Sequence, residues 1–154
     1  MSGPSASVDA LPISALQLRP LCDSELIRLC ESYTEVTLAI VATADARLVS
    51  CKSGQSRDGH RIAAMTGSLL ALCESLAREL SGGSCQSVVV SMDDYTCVIV
   101  HVTGMHQSLV LAIGVGQSVM LALARRVALD LADRLSIRLK AFVACLHIPA
   151  QSSR

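Results

Sequence analysis

Apolar and polar positions along the chain follow two different periods, and these divide it into predicted strands and helices. Residues 36–43 read VTLAIVAT, which is apolar on both alternating faces and typical of a strand covered on both sides of a sheet. A tight turn is predicted at 44–46, and hairpin turns are predicted at Asp93-Asp94 and Gly104-Met105-His106. The pattern predicts five strands, over residues 36–43, 47–51, 85–92, 95–103 and 107–114.

Apolar residues at helical spacing predict three helices. The first covers about residues 24–33, with Asp23 or Ser24 as its N-cap. The longest covers about residues 58–80, and the glycines at 82 and 83 are expected to end it. The last covers about residues 118–135 and is expected to turn five apolar residues inward, namely Met120, Leu123, Val127, Leu131 and Leu135.

The longest predicted helix has a wide apolar arc. One stripe of the arc consists of Ile62, Met65, Leu69, Leu72, Cys73, Leu76 and Leu80. A second flank widens it to roughly half the circumference and consists of Ala63, Thr66, Leu70 and Ala77. One face of a sheet does not need so wide a surface. The second flank is therefore expected to meet either a helix of another copy or the chain's own segments 1–20 or 137–148.

The predicted element order is α-β-β-α-β-β-β-α, with short connections between strands except through the long helix. A five-stranded antiparallel sheet, with the long helix on one face and two helices on the other, satisfies these connections. The predicted fold class is therefore α/β of the α+β kind. One domain is expected over residues 21–136, after a flexible leader at 1–20. In the C-terminal extension at 137–154, an added edge strand, a continued helix and a partner-binding tail remain open.

The composition narrows the classes of function. Thirteen basic and thirteen acidic side chains leave no net charge, and the chain has only two tyrosines and one phenylalanine, so nucleic-acid binding is not expected. The seven cysteines are odd in number and form no CxxC pair, which argues against a secreted disulfide framework. Neither a signal peptide nor a membrane-spanning apolar run is evident. The chain is therefore expected in the reducing cytosol.

Two groups of residues are candidates for a chemical site. Residues 114–118 are glycine-rich before a predicted helix, where phosphates often bind, but they lack the lysine of a P-loop. Cys97 and His101 share one face of a predicted strand and His106 follows them, yet a metal or thiol site needs further convergent groups. A turn and ordinary sheet packing are the expected interpretations. No catalytic residue, metal ligand or cofactor is assigned.

The run Arg61-Ile62-Ala63-Ala64-Met65, continuing through Leu69-Leu70-Ala71-Leu72 to Ala77-Arg78-Glu79-Leu80-Ser81-Gly82-Gly83, resembles the central helix of Roadblock-family domains. The later strands and the final helix follow in the same order, so the resemblance covers about residues 24–136. It implies a Roadblock/profilin-like fold of the kind found in dynein light chains and in bacterial regulators of Ras-like GTPases.

The resemblance also implies a homodimer, in which the third strands pair edge to edge and the long helices pack antiparallel. On this sequence the paired edge would be residues 84–92, with Cys85, Ser87 and Val89 in the interface. The helix seam would lie along Ala63, Thr66, Gly67, Leu70 and Ala77, so that Leu70→Glu would give a soluble monomer. The outer surface of the helix pair would dock the GTPase through a rim formed by His60, Ala71, Glu74 and Arg78. A plain solvated face is the alternative for that rim.

The leading hypothesis is therefore a non-catalytic homodimeric adaptor, a signalling scaffold that binds and regulates a Ras-like small GTPase. A light-chain-like subunit of a motor complex belongs to the same class with a different partner. A small-ligand sensor is the rival from another class, because related folds can enclose pockets. A thiol or metal enzyme is the remaining alternative.

Overall fold

The structure is a computed structural model that describes residues 13–103 and 108–146. The leader residues 1–12, the predicted Gly104-Met105-His106 turn and residues 147–154 lie outside the described part. The described chain forms three helices and five strands: α1 (Ala15–Ser32), β1 (Val36–Thr43), β2 (Leu48–Ser53), α2 (Gly59–Glu79), β3 (Val88–Ser91), β4 (Tyr95–Val102), β5 (Leu109–Gly116) and α3 (Leu121–Leu146).

All five strands form one antiparallel sheet in the order β2-β1-β5-β4-β3. The last strand, β5, lies at the centre, where Ile113 is paired with Ala39 of β1 and with Val98 of β4. The three central strands are buried on both faces, which explains their nearly unbroken apolar sequences. The edges of the sheet are β2 and β3, and β3 has only four residues.

Helices cover both faces of this sheet. On one face, α1 and α3 pack their buried side chains against Val41, Val100 and Ile113 in the largest core cluster. On the other face α2 is the one helix of the described chain, and its Leu70 packs with Ile99 in a smaller cluster. The structure therefore confirms the predicted fold class, a five-stranded antiparallel sheet between one long helix and two others.

Helix α1 begins well before the predicted 24–33 helix. Its first turn is closed by a capping box, in which the Ser14 hydroxyl accepts from the Gln17 amide at 3.3 Å and the Gln17 side chain accepts from the Ser14 amide at 3.0 Å. Pro20 lies inside the helix, so treating proline as a boundary misplaced the helix start. Burial of Leu18 beneath this turn supplies the packing that stabilises a helix in spite of its proline.

A buried glutamate joins α1 to α3. The Glu25 carboxylate accepts hydrogen bonds from Arg138 at 2.6 Å and from Arg134 at 3.4 Å. The hydrogen bonds from two guanidinium groups offset the cost of burying this polar side chain between the helices. Arg138 also donates to the Ser24 hydroxyl at 3.0 Å. Because Arg138 follows the predicted helix end at residue 135, this contact helps to hold α3 in helical form beyond it.

Helix α3 starts later than the predicted residue 118 and continues to Leu146. For the described part of the segment 137–148, the structure therefore shows a continued helix, which is anchored by the fully buried Leu139. Three of the five residues predicted to face inward are buried, namely Val127, Leu131 and Leu135. Met120 and Leu123 are exposed instead, because they border a cleft at the end of the sheet and not its interior.

The glycine-rich run 114–118 does not open a helix, because its first three residues belong to β5. A Cβ atom at Gly114 would lie 1.9 Å from the Tyr95 hydroxyl oxygen, so the tyrosine ring needs a glycine beneath it. The ring is held in place by hydrogen bonds of 2.9 Å to its hydroxyl from Thr37 and from Arg57, whose guanidinium also lies 5.0 Å from the ring centroid. The glycine at this position is therefore explained by packing.

We expect Gly114→Ala to lower the free energy of unfolding by about 1–3 kcal/mol or more, because the new methyl group overlaps the Tyr95 ring. Gly116→Ala is the matched control in the same strand, since nothing lies within 4 Å of the Cβ it would add. Urea denaturation of the two variants checks this. Equal stabilities would contradict the packing account of Gly114.

Candidate partner-binding surface

Helix α2 has nearly the bounds that the sequence predicts. Asp58 caps it, and its carboxylate accepts the Arg61 amide at 3.2 Å. At the other end the Gly82 amide donates to the Ala77 carbonyl at 2.9 Å. Gly83 has a φ of 83°, a left-handed conformation that glycine adopts at little cost. The helix therefore begins and ends at residues suited to those positions.

The side of α2 that faces the sheet carries small residues and one leucine. These buried residues are Ala63, Thr66, Gly67 and Leu70. A Cβ atom at Gly67 would lie 3.9 Å from the Ala44 carbonyl oxygen, so the helix backbone comes close to the turn between β1 and β2. The structure corrects the predicted seam at these four positions, because the chain's own sheet covers them. Ala77, the fifth predicted seam residue, is half-buried.

The large apolar residues of α2 point away from the sheet. Met65, Leu69, Leu72 and Leu76 are 51%, 38%, 68% and 56% exposed, and we call these four residues the α2 stripe. Leu80, one turn further on, is also exposed. Contiguous apolar side chains on a surface mark an interaction site more often than scattered ones do. The inner and outer sides of the apolar arc are thus the reverse of the sequence interpretation. Residue size is the signal that separates them, since small residues let a helix approach a sheet.

Strand β3 forms an edge of the sheet beside this helix. It is shorter than the predicted 85–92 strand and pairs only with β4 among the described strands. Cys85 precedes the strand and packs against the cluster under α2, whereas Val89 packs against the cluster on the opposite face. Both residues and Ser87 are half-buried. The three predicted interface residues of this segment therefore lie at or next to a sheet edge that no other described strand covers.

The predicted docking rim is only partly on the outer surface. His60, Ala71 and Arg78 are exposed, and the Arg78 guanidinium donates to the Ser75 hydroxyl at 3.1 Å. Glu74 departs from the prediction because it is half-buried and turns toward the sheet. Its Oε1 atom accepts from the backbone amide of residue 85 at 3.2 Å and lies 3.0 Å from a histidine nitrogen of β4. Three of the four rim residues are thus available to a partner.

The two described candidates for a metal or thiol site, Cys97 and His101, are not joined by the further groups that such chemistry needs among the described residues. Within residues 13–103 and 108–146, no group of three or more histidine, cysteine or acidic side chains is positioned to hold a metal ion. Burial raises the pKa of Cys97 to about 11, which disfavours the reactive thiolate. His101 contacts Glu74. His106, the third candidate residue, lies outside the described part.

An apolar cleft lies on the other side of the molecule, between the end of α1 and the start of α3. Its volume is roughly 250 Å³, and residues such as Tyr33, Val36, Val119 and Leu123 line it. Pockets for small ligands usually enclose about 300–1,000 Å³ and contain a few directed polar groups. This cleft is smaller and mainly apolar in its lining, so it gives limited support to a ligand site.

A family model described as the Roadblock/LC7 domain matches residues 23–113. The chain belongs to the Roadblock/LC7 family. The match includes α2, β3 and β4, so the α2 stripe and the free sheet edge both lie within the family domain. No curated protein matches the chain. Among the described residues, no helix has both the length and the hydropathy needed to cross a membrane.

Solved structures share the fold at low sequence identity. A Roadblock/LC7 domain from Streptomyces avermitilis is 20% identical, with a TM-score of 0.66 over 76% of this chain and 96% of that one. MglB from Myxococcus xanthus is 16% identical, with a TM-score of 0.66 over 80% of this chain and 88% of that one. An MglB described as having a tetrameric arrangement is 14% identical, with a TM-score of 0.69 over 81% and 91%.

Two leucines of α2 provide a direct test of which side faces the core. We expect Leu70→Glu to abolish the fold, because Leu70 is 1% exposed and a buried unpaired charge is costly. Leu72→Glu is the matched variant, two residues further along the helix and largely exposed, and it should keep the native circular dichroism spectrum. From the sequence alone, Leu70→Glu is expected to give a soluble monomer; the burial of Leu70 leads us to expect unfolding instead. Equal loss of structure in both variants would contradict the assignment.

The cysteines allow a test of the packing role of Cys97. At pH 7.5 we expect iodoacetamide to modify the exposed Cys145 and to leave Cys97 unmodified in the folded protein, since the raised pKa of Cys97 leaves almost no thiolate. Mass spectrometry of peptides measures both sites, and denatured protein is the control in which both react. Faster modification of Cys97 than of Cys145 would revive the thiol-enzyme hypothesis.

Proposed function

We propose that the chain is a non-catalytic homodimeric adaptor that acts in the cytosol and binds and regulates a Ras-like small GTPase. The observation that carries the proposal is the α2 stripe beside the free edge of β3, within a Roadblock/LC7 domain. Family membership supports the class of function, because the sequence resemblance implies dimeric adaptors of GTPases and motors.

The spacing of the α2 stripe suits pairing with a second copy of itself. Its residues are separated by four, three and four positions, a sequence of intervals that is the same in both directions. Two such helices packed antiparallel therefore match along their whole length. Leu69 of each protomer would face Leu72 of its partner, and Met65 would face Leu76. This register is a property of an antiparallel pair and not of a parallel one.

The free energy gained by burying the α2 stripe decides whether the stripe alone can hold a dimer together. Burying eight side chains that are about half exposed, four from each protomer, contributes on the order of 6–12 kcal/mol. Association costs roughly 4–15 kcal/mol in lost freedom of motion. The stripe by itself is therefore marginal. Pairing of the two β3 edges would add backbone hydrogen bonds and cover an exposed strand, so the two elements together support a stable dimer.

Docking of a GTPase is proposed on the outer side of the paired α2 helices, where His60, Ala71 and Arg78 are exposed. Arginine is a frequent anchor of protein interfaces, which makes Arg78 the first residue to test. The adaptor would act by stabilising one conformation of the GTPase switch segments. Any faster hydrolysis would come from repositioned groups of the GTPase itself.

Two other functions remain as outcomes of the tests. A motor-complex light chain would use the same dimer, and binding of its partner would not depend on the guanine nucleotide. A small-ligand sensor would rely on the cleft between α1 and α3, whose roughly 250 Å³ is below the usual range for such sites. The exposed stripe favours the adaptor over the sensor.

The antiparallel register can be tested with two charged variants. Leu72→Glu and Leu69→Lys should each give a monomer near 16.2 kDa, because each places an unpaired charge in the seam. Mixed in equal amounts, they should form a heterodimer. The carboxylate introduced at position 72 of one protomer would then face the ammonium introduced at position 69 of the other, while the second Leu69–Leu72 pair stays apolar. Native mass spectrometry distinguishes the species.

Leu16→Glu is the control for this experiment, because Leu16 is a highly exposed leucine of α1 on the opposite face of the sheet. It should remain dimeric. A mixture that stays monomeric would contradict the antiparallel register, and dimers of either variant alone would remove the stripe from the interface.

GTPase binding can be tested by capture from cytosol on the immobilised chain, with GDP or a non-hydrolysable GTP analogue present. We expect a Ras-like GTPase to be retained mainly in one nucleotide state. Arg78→Glu should weaken capture at least about tenfold while the protein stays dimeric. Retention of the partner regardless of the nucleotide would contradict the proposed regulation. An unchanged capture by the Arg78→Glu variant would contradict the proposed docking surface.

A further inference from the structure

Glu74 links the two elements of the proposed interface. It lies on α2, but its carboxylate is turned toward the sheet and is 22% exposed. Its Oε1 atom accepts the backbone amide of Cys85 at 3.2 Å, just before β3 begins. The same oxygen lies 3.0 Å from Nε2 of His101 on β4. One side chain of the helix therefore holds both the entry to the edge strand and the neighbouring strand.

The segment between α2 and β3 packs against the cluster under α2 through Cys85, but it makes few other side-chain hydrogen bonds. Residues 80–84 and 86 are exposed, and Ser81 and Gly83 both have positive φ, as in a turn without a regular hydrogen-bond ladder. Among the described residues, the other side-chain hydrogen bond that reaches this segment from a different element runs from Arg125 to Gln86, at 3.4 Å and exposed. Because β3 pairs on one side only, its position relative to α2 depends strongly on how its first residues are held.

We propose that Glu74 is a positioning residue that fixes β3 relative to α2, and that it thereby sets the affinity of the dimer. This inference rests on the proposed dimer described above. Two surfaces of one protomer bind the same partner at once only if their relative geometry is already correct. A pre-ordered arrangement binds more tightly because less ordering is required during association.

The carboxylate is suited to this role because one oxygen both accepts the Cys85 amide and lies 3.0 Å from Nε2 of His101. A hydrogen bond to a charged acceptor is stronger than one between neutral groups, and a buried amide left without an acceptor is costly. Glutamine retains an acceptor oxygen at the same position, whereas alanine removes it. Both substitutions remove the negative charge, but only alanine removes the acceptor oxygen, so the two variants separate the effect of the charge from the effect of the acceptor-bearing side chain.

The experiment has two readouts. Hydrogen exchange of peptides covering residues 85–91 is measured in the monomeric Leu72→Glu background, and dimer dissociation constants are measured without that substitution. Glu74→Ala should speed exchange in this peptide and weaken the dimer about tenfold or more. Glu74→Gln should restore most of the protection and most of the affinity. Glu31→Ala, at an exposed glutamate of α1, should change neither readout.

A second variant provides a test that does not depend on whether the Glu74→Ala protein folds. His101→Leu removes the imidazole that contacts Glu74 and leaves an apolar side chain of similar size, so it should produce a smaller change of the same sign in both readouts. Unchanged exchange in both Glu74→Ala and His101→Leu would overturn the inference, as would faster exchange with unaltered dimer affinity. If the unmodified chain does not dimerise, the proposed dimer fails, and the role of Glu74 in setting its affinity fails with it.

Discussion

The close approach of α2 to the sheet is the contact on which the rest of the structure depends. Ala63 and Gly67 have little or no side chain, so the helix backbone lies near the sheet. The buried Leu70 and Thr66, together with the half-buried Ile62, fill the space between them. A tightly packed interior leaves no room on that side for the larger residues of the same helix. The four residues of the α2 stripe must therefore lie toward solvent, beside the free edge of β3.

Most of this fold could be predicted from the sequence, because hydrophobic periodicity and turn residues are local signals. The sequence predicted α2 with nearly correct ends, all five strands and the two-layer arrangement of helices. It missed features that depend on contacts between distant residues. Helix α1 continues through Pro20 because Leu18 and Cys22, on either side of it, are buried in the core. Gly114 lies within a strand because Tyr95 covers it. Neither contact is visible from spacing alone.

The candidate surface shows the same limit. An apolar arc that covers half a helix does not state which half meets the sheet, so periodicity alone places the large residues inward and the small ones outward. The size of the side chains carries the missing information. The outer rim predicted from the helical wheel includes Glu74 for a related reason. Its contacts, the Cys85 amide and the His101 ring, are brought near it only by the fold.

Taken together, these features suit a domain that binds a protein partner. The Cys97 side chain packs in the core, where burial raises the pKa of its thiol, and the His101 side chain contacts Glu74. The α2 stripe consists of four exposed apolar residues that are symmetrically spaced along the helix. It lies beside the edge strand β3. Such a combination is expected of a domain that pairs with itself and offers the joint surface to a partner.

Sedimentation equilibrium of the unmodified chain over a range of micromolar concentrations tests this account most directly. The account predicts a mass of twice 16.2 kDa at the upper concentrations, with a reversible transition toward the monomer on dilution. A single species of 16.2 kDa throughout that range would show that the α2 stripe does not join two copies, and it would contradict the central claim.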